Sequence, residues 1–443
     1  MRKSILIISF EFVPINVGGT MRPLLFSNFF AEQGYDVNVI TVDPKYYTQI
    51  DEGLIERLDK RIKVTTIELE EQKFYSKLIN SGYGYEAEDR HLRWEKKTYE
   101  NIDRIFSEKK PDFVIITLPP FSIFKSLEYI KKKYDTIVLL DFRDAWTQWV
   151  LTPYASKVHY KWKLEQENKA LFLADSILAT SPVTLKDLQR LHPKIDKNKF
   201  HFIPNSFNAE LKENITIPNF ESSEKIKITY IGNFYYKEES QALFSKPWYK
   251  KKPYQWFQYL PREENWKYRS SYFIFKTFDV FFKKHPNWKN KIELHFVGNI
   301  PEWWDSFLAE FNLNDNVFAH GYLPKDKTGE LLNESDILLI TSNKVIDGED
   351  YSIAGKTFEY FESGKPIFGF VCEGSQKWIL EESGTSVIFN PDEPEKNSQI
   401  LADFFQNKII LKQKIDFLKN FQTKNTLSKL NQILEDLKNS KKI

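Results

Sequence analysis

Short, unbroken apolar runs recur along the chain, each followed by a polar or glycine-bearing turn and then by a helical spacing of apolar residues. Residues 4–10 (Ser-Ile-Leu-Ile-Ile-Ser-Phe) form the first run. A strand apolar on both faces suits the centre of a parallel sheet covered by helices. Pro14, Gly18 and Gly19 mark the loop that follows; residues 20–33 read as a helix ended by Gly34, and residues 35–41 as the next strand. Further strands are expected at 111–117, 136–140, 174–180 and 200–203, with helices at 122–133 and 157–172. Pro204-Asn205 then makes a turn, and the polar stretch 211–225, carrying Pro218, reads as a linker. Residues 226–231 restart the pattern with a strand and the Gly232-Asn233 turn. Strands at 292–297, 317–323, 336–341 and 385–389 follow, and another after Pro366. Alternating strands and helices predict two α/β domains of the doubly wound, Rossmann-like kind. The expected division is 1–210, a linker 211–225, 226–410 with an insertion at 235–268, and a helical tail 411–443.

Length agrees with two cores, since 443 residues exceed one typical domain. An apolar share of 41% is enough to fill both. A net charge of +2 gives no global argument for nucleic acid. The lysines at 131–133 read as a solvated face. The single cysteine, Cys372, rules out an internal disulfide and a cysteine-based metal site, which suits a reducing compartment. No apolar run reaches membrane-spanning length. The expectation is a cytoplasmic protein, with peripheral contact at the inner face of a membrane left open.

Two stretches carry candidate chemistry. In residues 352–370, Gly355-Lys356 stands where a short helix begins, and Ser363-Gly364 and Pro366 end it. A helix start offers unpaired N–H groups and partial positive charge to a phosphate. Lys356 adds a full charge, and Glu359 lies one turn on, within reach of hydroxyls. An ordinary amphipathic helix between two strands is the plainer reading. The second stretch is Asp141-Phe-Arg-Asp-Ala-Trp146, directly after the strand at 136–140. Ionisable groups at the carboxyl end of a buried parallel strand need partners or a substrate. The plainer reading here is an Arg143–carboxylate pair tying the loop down. The Gly18-Gly19 pair lets backbone approach a ligand, but no Gly-x-Gly-x-x-Gly accompanies it, which disfavours a plain dinucleotide-binding dehydrogenase.

Taken in order, the Gly18-Gly19 loop, the Asp-Phe-Arg-Asp-x-Trp stretch and the Lys-x-x-Glu-Tyr helix resemble a subset of the retaining GT-B glycosyltransferases of family four. The resemblance implies two Rossmann-like domains facing a cleft. It implies a nucleotide-diphosphate sugar as donor and a saccharide, lipid-linked or other hydroxyl acceptor, with no cofactor, no metal and no nucleic-acid partner. Gly18, Gly19, Arg269, Gly355, Lys356, Glu359 and Tyr322 would face the donor, Arg269 and Lys356 at phosphate and Glu359 at ribose. Asp144, Arg143 and Asp141 take the catalytic positions; Arg143 replaces the family's His and cannot act as a base near neutral pH. Arg22 and Trp146 fall on the acceptor side. One departure is plain: the family's first acidic position is Tyr351, with Glu349 and Asp350 beside it. The implied role is metal-independent transfer with retention, in polysaccharide or glycoconjugate biosynthesis. A GT-B-fold sugar-nucleotide 2-epimerase and a non-catalytic carbohydrate-binding or assembly protein remain as alternatives. The aromatic and Lys-rich insertion reads as a flap stacking on sugars, as a packing cluster, or as a single-strand nucleic-acid platform. No chemistry attaches to the irregular region around residues 82–84, and His320 reads as structural.

Overall fold

The computed structural model describes residues 2–47, 49–70, 94–148, 153–211, 215, 217–220, 222–238 and 247–441. Residues 82–84, and residues 239–246 of the insertion, lie outside that set.

Seven parallel strands form the first sheet: β1 (Ser4–Ile8), β2 (Asp36–Val42), β3 (Lys63–Ile67), β4 (Phe113–Leu118), β5 (Ile137–Phe142), β6 (Ser176–Ala179) and β7 (Phe200–Phe202). Their order is β3-β2-β1-β4-β5-β6-β7. Every residue of β1, β4 and β5 is buried, as their unbroken apolar sequences require. The chain winds outward from β1 and then returns to β4 on its other side, so their following loops part at the carboxyl edge. One face is covered by the helix Met21–Glu32, whose Leu24, Phe26 and Phe30 share a core with Leu427, Leu430 and Leu434 of the helix Thr423–Ser440. The other face packs on Trp94, Ile102, Leu127 and Ala170 of the intervening helical segments.

A second run of strands comprises β8 (Ile226–Ile231), β9 (Glu264–Asn265), β10 (Ile292–Val297), β11 (Val317–Gly321), β12 (Ile337–Thr341), β13 (Lys344–Val345), β14 (Ile367–Phe370) and β15 (Ser386–Phe389). Six of them make a parallel sheet in the order β11-β10-β8-β12-β14-β15. Its core is rich in phenylalanine, including Phe275, Phe278, Phe281, Phe368, Phe404 and Phe405. β9 and β13 pair antiparallel as a separate two-residue ribbon. That ribbon fastens the end of the 235–268 stretch to the loop after β12, which the sequence presents only as polar.

The chain clusters into two compact units. One contains Met1–Asn205, Trp248–Pro261 and Thr423–Ile443; the other contains Ser206–Pro247 and Arg262–Gln422. Trp248–Pro261, inside the expected insertion, therefore belongs with the first unit. There Tyr154 and Tyr259 exchange backbone hydrogen bonds, each 2.9 Å. Among the described residues no helix is long and apolar enough to cross a membrane.

Candidate functional site

In the second unit the candidate groups gather at the carboxyl end of β8, where the strand order reverses toward β12. The helix Lys356–Ser363 starts there and ends on Gly364, whose φ of +66° suits glycine. Thr357, Phe358, Tyr360 and Phe361 bury its inner side. The Ile231 N–H donates to the Tyr360 hydroxyl at 3.1 Å, which fixes the helix against the end of β8. The Gln376 Oε1 accepts from Ala354 N at 2.8 Å and from Thr357 Oγ1 at 3.1 Å, which pins the helix start.

With its helix so placed, Lys356 extends along the Gly232 turn. Its Nζ lies 3.3 Å from the centre of the Tyr230 ring. A Cβ on Gly232 would come within 3.4 Å of that Nζ, and Gly232 also holds a φ of +125°. Burial and the like charge of Arg269 hold the Lys356 ammonium well below the usual lysine range, against the pull of Glu359. Arg269 ends the short turn Trp266–Arg269, with its guanidinium 5.4 Å from the Tyr235 ring centre and 5.8 Å from that of Trp266. Neither Lys356 nor Arg269 makes a hydrogen bond or ion pair among the described residues. Gly355 is exposed, and a Cβ there would meet nothing within 4 Å. Glu359 lies in the first turn, on the exposed side. Tyr322 follows β11 and is 66% exposed.

Beside these cations lies a buried acidic network. Tyr351 is buried, with the Arg262 guanidinium 4.3 Å from its ring centre. Its neighbour Asp350 is also buried and accepts from Asn343 N (3.1 Å), Ser352 N (3.1 Å) and Ser352 Oγ (3.0 Å). Burial raises its carboxyl pKa, and Arg269 works against that rise. Glu264 is 3% exposed and accepts from Arg262 Nε at 2.7 Å and Asn343 Nδ2 at 2.8 Å. Burial pushes its carboxyl up to about 7 despite Arg262. Sequence reasoning missed Glu264, Arg262 and Asn343, because their bonds join the two ends of the β9–β13 ribbon.

In the first unit Arg22 and Asp141 form a buried ion pair. Arg22 Nε donates to Asp141 at 2.9 and 3.0 Å, and its NH2 donates at 2.7 Å. The remaining guanidinium donors reach the carbonyls of Ile203 (2.8 Å) and Pro204 (2.9 Å), with Asn205 Oδ1 at 3.5 Å. Asp141 is fully buried, so its carboxylate faces Arg22 rather than solvent. Arg143 donates to Glu11 Oε2 at 3.0 Å and to the Pro119 carbonyl. A Cβ on Gly19 would fall 1.5 Å from Arg143 NH1 and 1.8 Å from Glu11 Oε2. The space that Gly19 leaves therefore holds this ion pair, whereas Gly18 is exposed with open space around it. Asp144 is half-buried in the turn after β5. Trp146 is 7% exposed and stacks on Phe121, ring centres 5.2 Å apart, so its indole belongs to the core. Behind the turn, Glu167 accepts from Thr147 Oγ1 at 2.7 Å and lies 2.8 Å from His192 Nε2. Asp141, expected just after its strand, lies within β5, whereas Glu11, which follows β1, went unnoticed in the sequence. Among the described residues no cluster of three or more His, Cys, Asp or Glu side chains is arranged to hold a metal ion.

No protein-family model matches the chain, and no curated protein is significantly similar to it in sequence. Its shape does have relatives. The chain is similar to sucrose-phosphate synthase from Thermosynechococcus elongatus, at 12% identity, covering 98% of this chain and 99% of that one, with a TM-score of 0.62. It is similar to the lipopolysaccharide outer core galactosyltransferase WaaB at 13% identity, 97% and 98% coverage and a TM-score of 0.57. An α,α-trehalose-phosphate synthase (UDP-forming) from Burkholderia vietnamiensis matches at 7% identity, full coverage of both chains and a TM-score of 0.61. At such identities the likeness is one of fold. Two parallel-sheet α/β domains, with GT-B glycosyltransferases as structural neighbours, are the architecture of this chain.

Proposed function

We propose that this protein is a glycosyltransferase that moves a sugar from a nucleotide-diphosphate donor to a hydroxyl acceptor with retention, in the assembly of a polysaccharide or other glycoconjugate. The observation that carries this reading is the pair of cations at the end of β8. Lys356 and Arg269 lie within each other's field, and the positive charge of Arg269 helps to lower the Lys356 pKa. Neither has an anionic hydrogen-bonding partner among the described residues, and the open start of the Lys356 helix stands beside them. Like charges left facing one another cost free energy that an anion recovers. A diphosphate supplies that anion, and its charge grows as the sugar bond breaks, so the same two groups stabilise the leaving group. Glu359 reaches the ribose from the first turn, Gly355 leaves room for close approach, and Tyr322 meets the base. The fold relatives include a UDP-forming synthase and a galactosyltransferase, which agrees with a nucleotide-sugar donor.

In the first unit we assign acceptor orientation and deprotonation to Asp144, the half-buried carboxylate of the turn. Arg143 would stabilise negative charge there while held by Glu11, with Gly18 leaving the loop open. Arg22 and Asp141 act as positioning residues, since their bonds to each other and to the end of β7 fix the base of that turn. The donor chemistry proposed needs no cofactor.

The test is a thermal-shift panel against UDP, GDP, ADP and CMP, followed by a donor-turnover assay with the matching sugar nucleotides. A ligand bound only by the folded state raises the melting temperature. A shift with one nucleoside diphosphate, lost in Lys356→Ala and Arg269→Ala, is expected, with an axial or equatorial product matching that of the donor sugar. No shift with any of the four, or an unchanged shift in both variants, overturns the phosphate assignment.

A further inference from the structure

We infer that Glu167 is a positioning residue of the transfer site, setting the main chain of the turn that carries Asp144; this role rests on the acceptor-side reading of Asp144. Glu167 lies in the helix Lys157–Leu173 and is only 1% exposed. Both of its carboxylate oxygens are engaged. Oε1 accepts from Thr147 N at 3.2 Å, and Oε2 accepts from Thr147 Oγ1 at 2.7 Å and lies 2.8 Å from His192 Nε2. The third polar group of Thr147, its carbonyl, accepts from the Tyr154 hydroxyl at 3.2 Å. A carboxylate only accepts hydrogen bonds, so His192 presents its Nε2–H to Glu167. His192 itself ends the next helix, Pro182–Leu191. One buried carboxylate thus joins the turn after β5 to the two helices that follow it.

The other end of the turn is held as well. Arg143 N donates to the Leu118 carbonyl at 2.9 Å, and the Arg143 carbonyl accepts from Thr180 Oγ1 at 2.8 Å. Between Arg143 and Thr147, Ala145 and Trp146 are buried in the core, and Asp144 is the half-buried residue. Its side chain therefore projects from a frame fixed at both ends. Asp141 and Arg22 fix the strand side of that frame, and Glu167 fixes the far side. Taking a carboxylate out of water is costly, and an apolar side chain of similar volume would fill the same space at least as stably. What an apolar side chain cannot do is hold the amide and the hydroxyl of Thr147 together. A group that orients or deprotonates an acceptor needs such support, because its geometry must be set closely by residues that are themselves locked.

The experiment compares the full chain with Glu167→Gln, Thr147→Val, Asp144→Asn and the double variant Glu167→Gln with Asp144→Asn. The first readout needs no substrate: amide hydrogen exchange followed by mass spectrometry. In Glu167→Gln, peptides covering residues 143–148 should exchange about 10-fold faster, as loss of one hydrogen bond implies. Peptides of the helix Met21–Glu32 should keep their rate. Unchanged exchange at 143–148, or an equal rise in both regions, overturns the local role. The second readout is release of nucleoside diphosphate from UDP-glucose, UDP-galactose, GDP-mannose and ADP-glucose. In Glu167→Gln, kcat should fall about 100-fold, the cost of roughly 1 Å of misplacement, while KM for the donor holds. Thr147→Val keeps the backbone bond, should lose less, and serves where Glu167→Gln does not fold. Placed on Asp144→Asn, Glu167→Gln should lower kcat no further, because the two act as one unit. Additive losses overturn the positioning role alone, as does full kcat in Glu167→Gln and Thr147→Val when Asp144→Asn has lost turnover. Full turnover in Asp144→Asn overturns the reading of Asp144 instead. If the wild type turns over none of the donors, the transfer reading fails, and the exchange result alone decides whether Glu167 sets the turn.

Discussion

Lys356 Nζ stands 3.3 Å from the centre of the Tyr230 ring. A desolvated ammonium over an aromatic face gains about 2 kcal/mol. Burial and Arg269 act the other way and prevail, since the ammonium is held well below its ordinary range. The folded chain thus binds fewer protons at Lys356 than the unfolded chain does. By linkage, stability rises with pH between the lowered folded value and the unfolded value of 10.5. Lys356→Met should flatten that rise and increase the stability of the free protein at neutral pH, as urea unfolding at several pH values would show. Nucleotide affinity in the wild type should instead fall as pH rises, because the bound diphosphate favours the charged lysine. If Lys356→Met binds the diphosphate with wild-type affinity, the cation has no part in donor binding.

Glu264 predicts the opposite slope. Its carboxyl is raised from 4.5 to about 7, with Arg262, Asn343, Asp350 and Arg269 as the charged and polar groups around it. The folded state therefore binds more protons than the unfolded state between those values. This contribution is complete below the unfolded value and is lost as pH rises through about 7. The shift corresponds to about 3 kcal/mol at most. In Glu264→Gln the pH dependence of unfolding between pH 5 and 8 should be shallower than in the wild type. An unchanged slope would mean that this carboxylate ionises freely.

How far the sequence foretold these sites depends on the range of the interactions involved. The strands β1, β4 and β5 and the helix Lys356–Ser363 with its Gly364 stop follow from periodicity and local breakers, which act over a few residues. Lys356 was visible because a helix start advertises itself. Arg269 came through the family pattern alone. The Arg22–Asp141 pair was beyond reach, since it spans 119 residues and nothing local to either residue names the other. Trp146 shows the converse. The family resemblance put it on the acceptor side, and its indole packs on Phe121 and Phe124 in the core. The Arg143–carboxylate pair, expected as the plainer reading with no partner named, forms with Glu11, brought close by the parallel pairing of β1 with β4 and β4 with β5.

Gly19 is open to a direct test of its role. A methyl group there would overlap Arg143 NH1 and Glu11 Oε2. Both are ends of flexible side chains, so the pair can part rather than the backbone move. Gly19→Ala should cost about 1–3 kcal/mol, and Glu11→Ala should relieve most of that cost in the double variant. Gly18→Ala meets nothing and should leave unfolding unchanged. Additive effects of Gly19→Ala and Glu11→Ala would show that the glycine serves something other than the ion pair.

Asp141 and Asp144, three residues apart, differ in role: one holds the turn and the other works in it. Asp141 is fully buried and bonded to Arg22 through three contacts. Removing one partner leaves the other charge buried and uncompensated, at a cost of about 3–5 kcal/mol. Asp141→Asn and Arg22→Met should therefore lower the melting temperature strongly, and any loss of turnover should follow the loss of folded protein. Asp144, half-buried in the same turn, should behave differently. Asp144→Asn should still bind the donor nucleotide. Its kcat should fall by about 100-fold or more, as expected when a group that orients or deprotonates the acceptor is lost. If Asp144→Asn keeps full turnover while Asp141→Asn loses it in a folded sample, the two assignments must be exchanged.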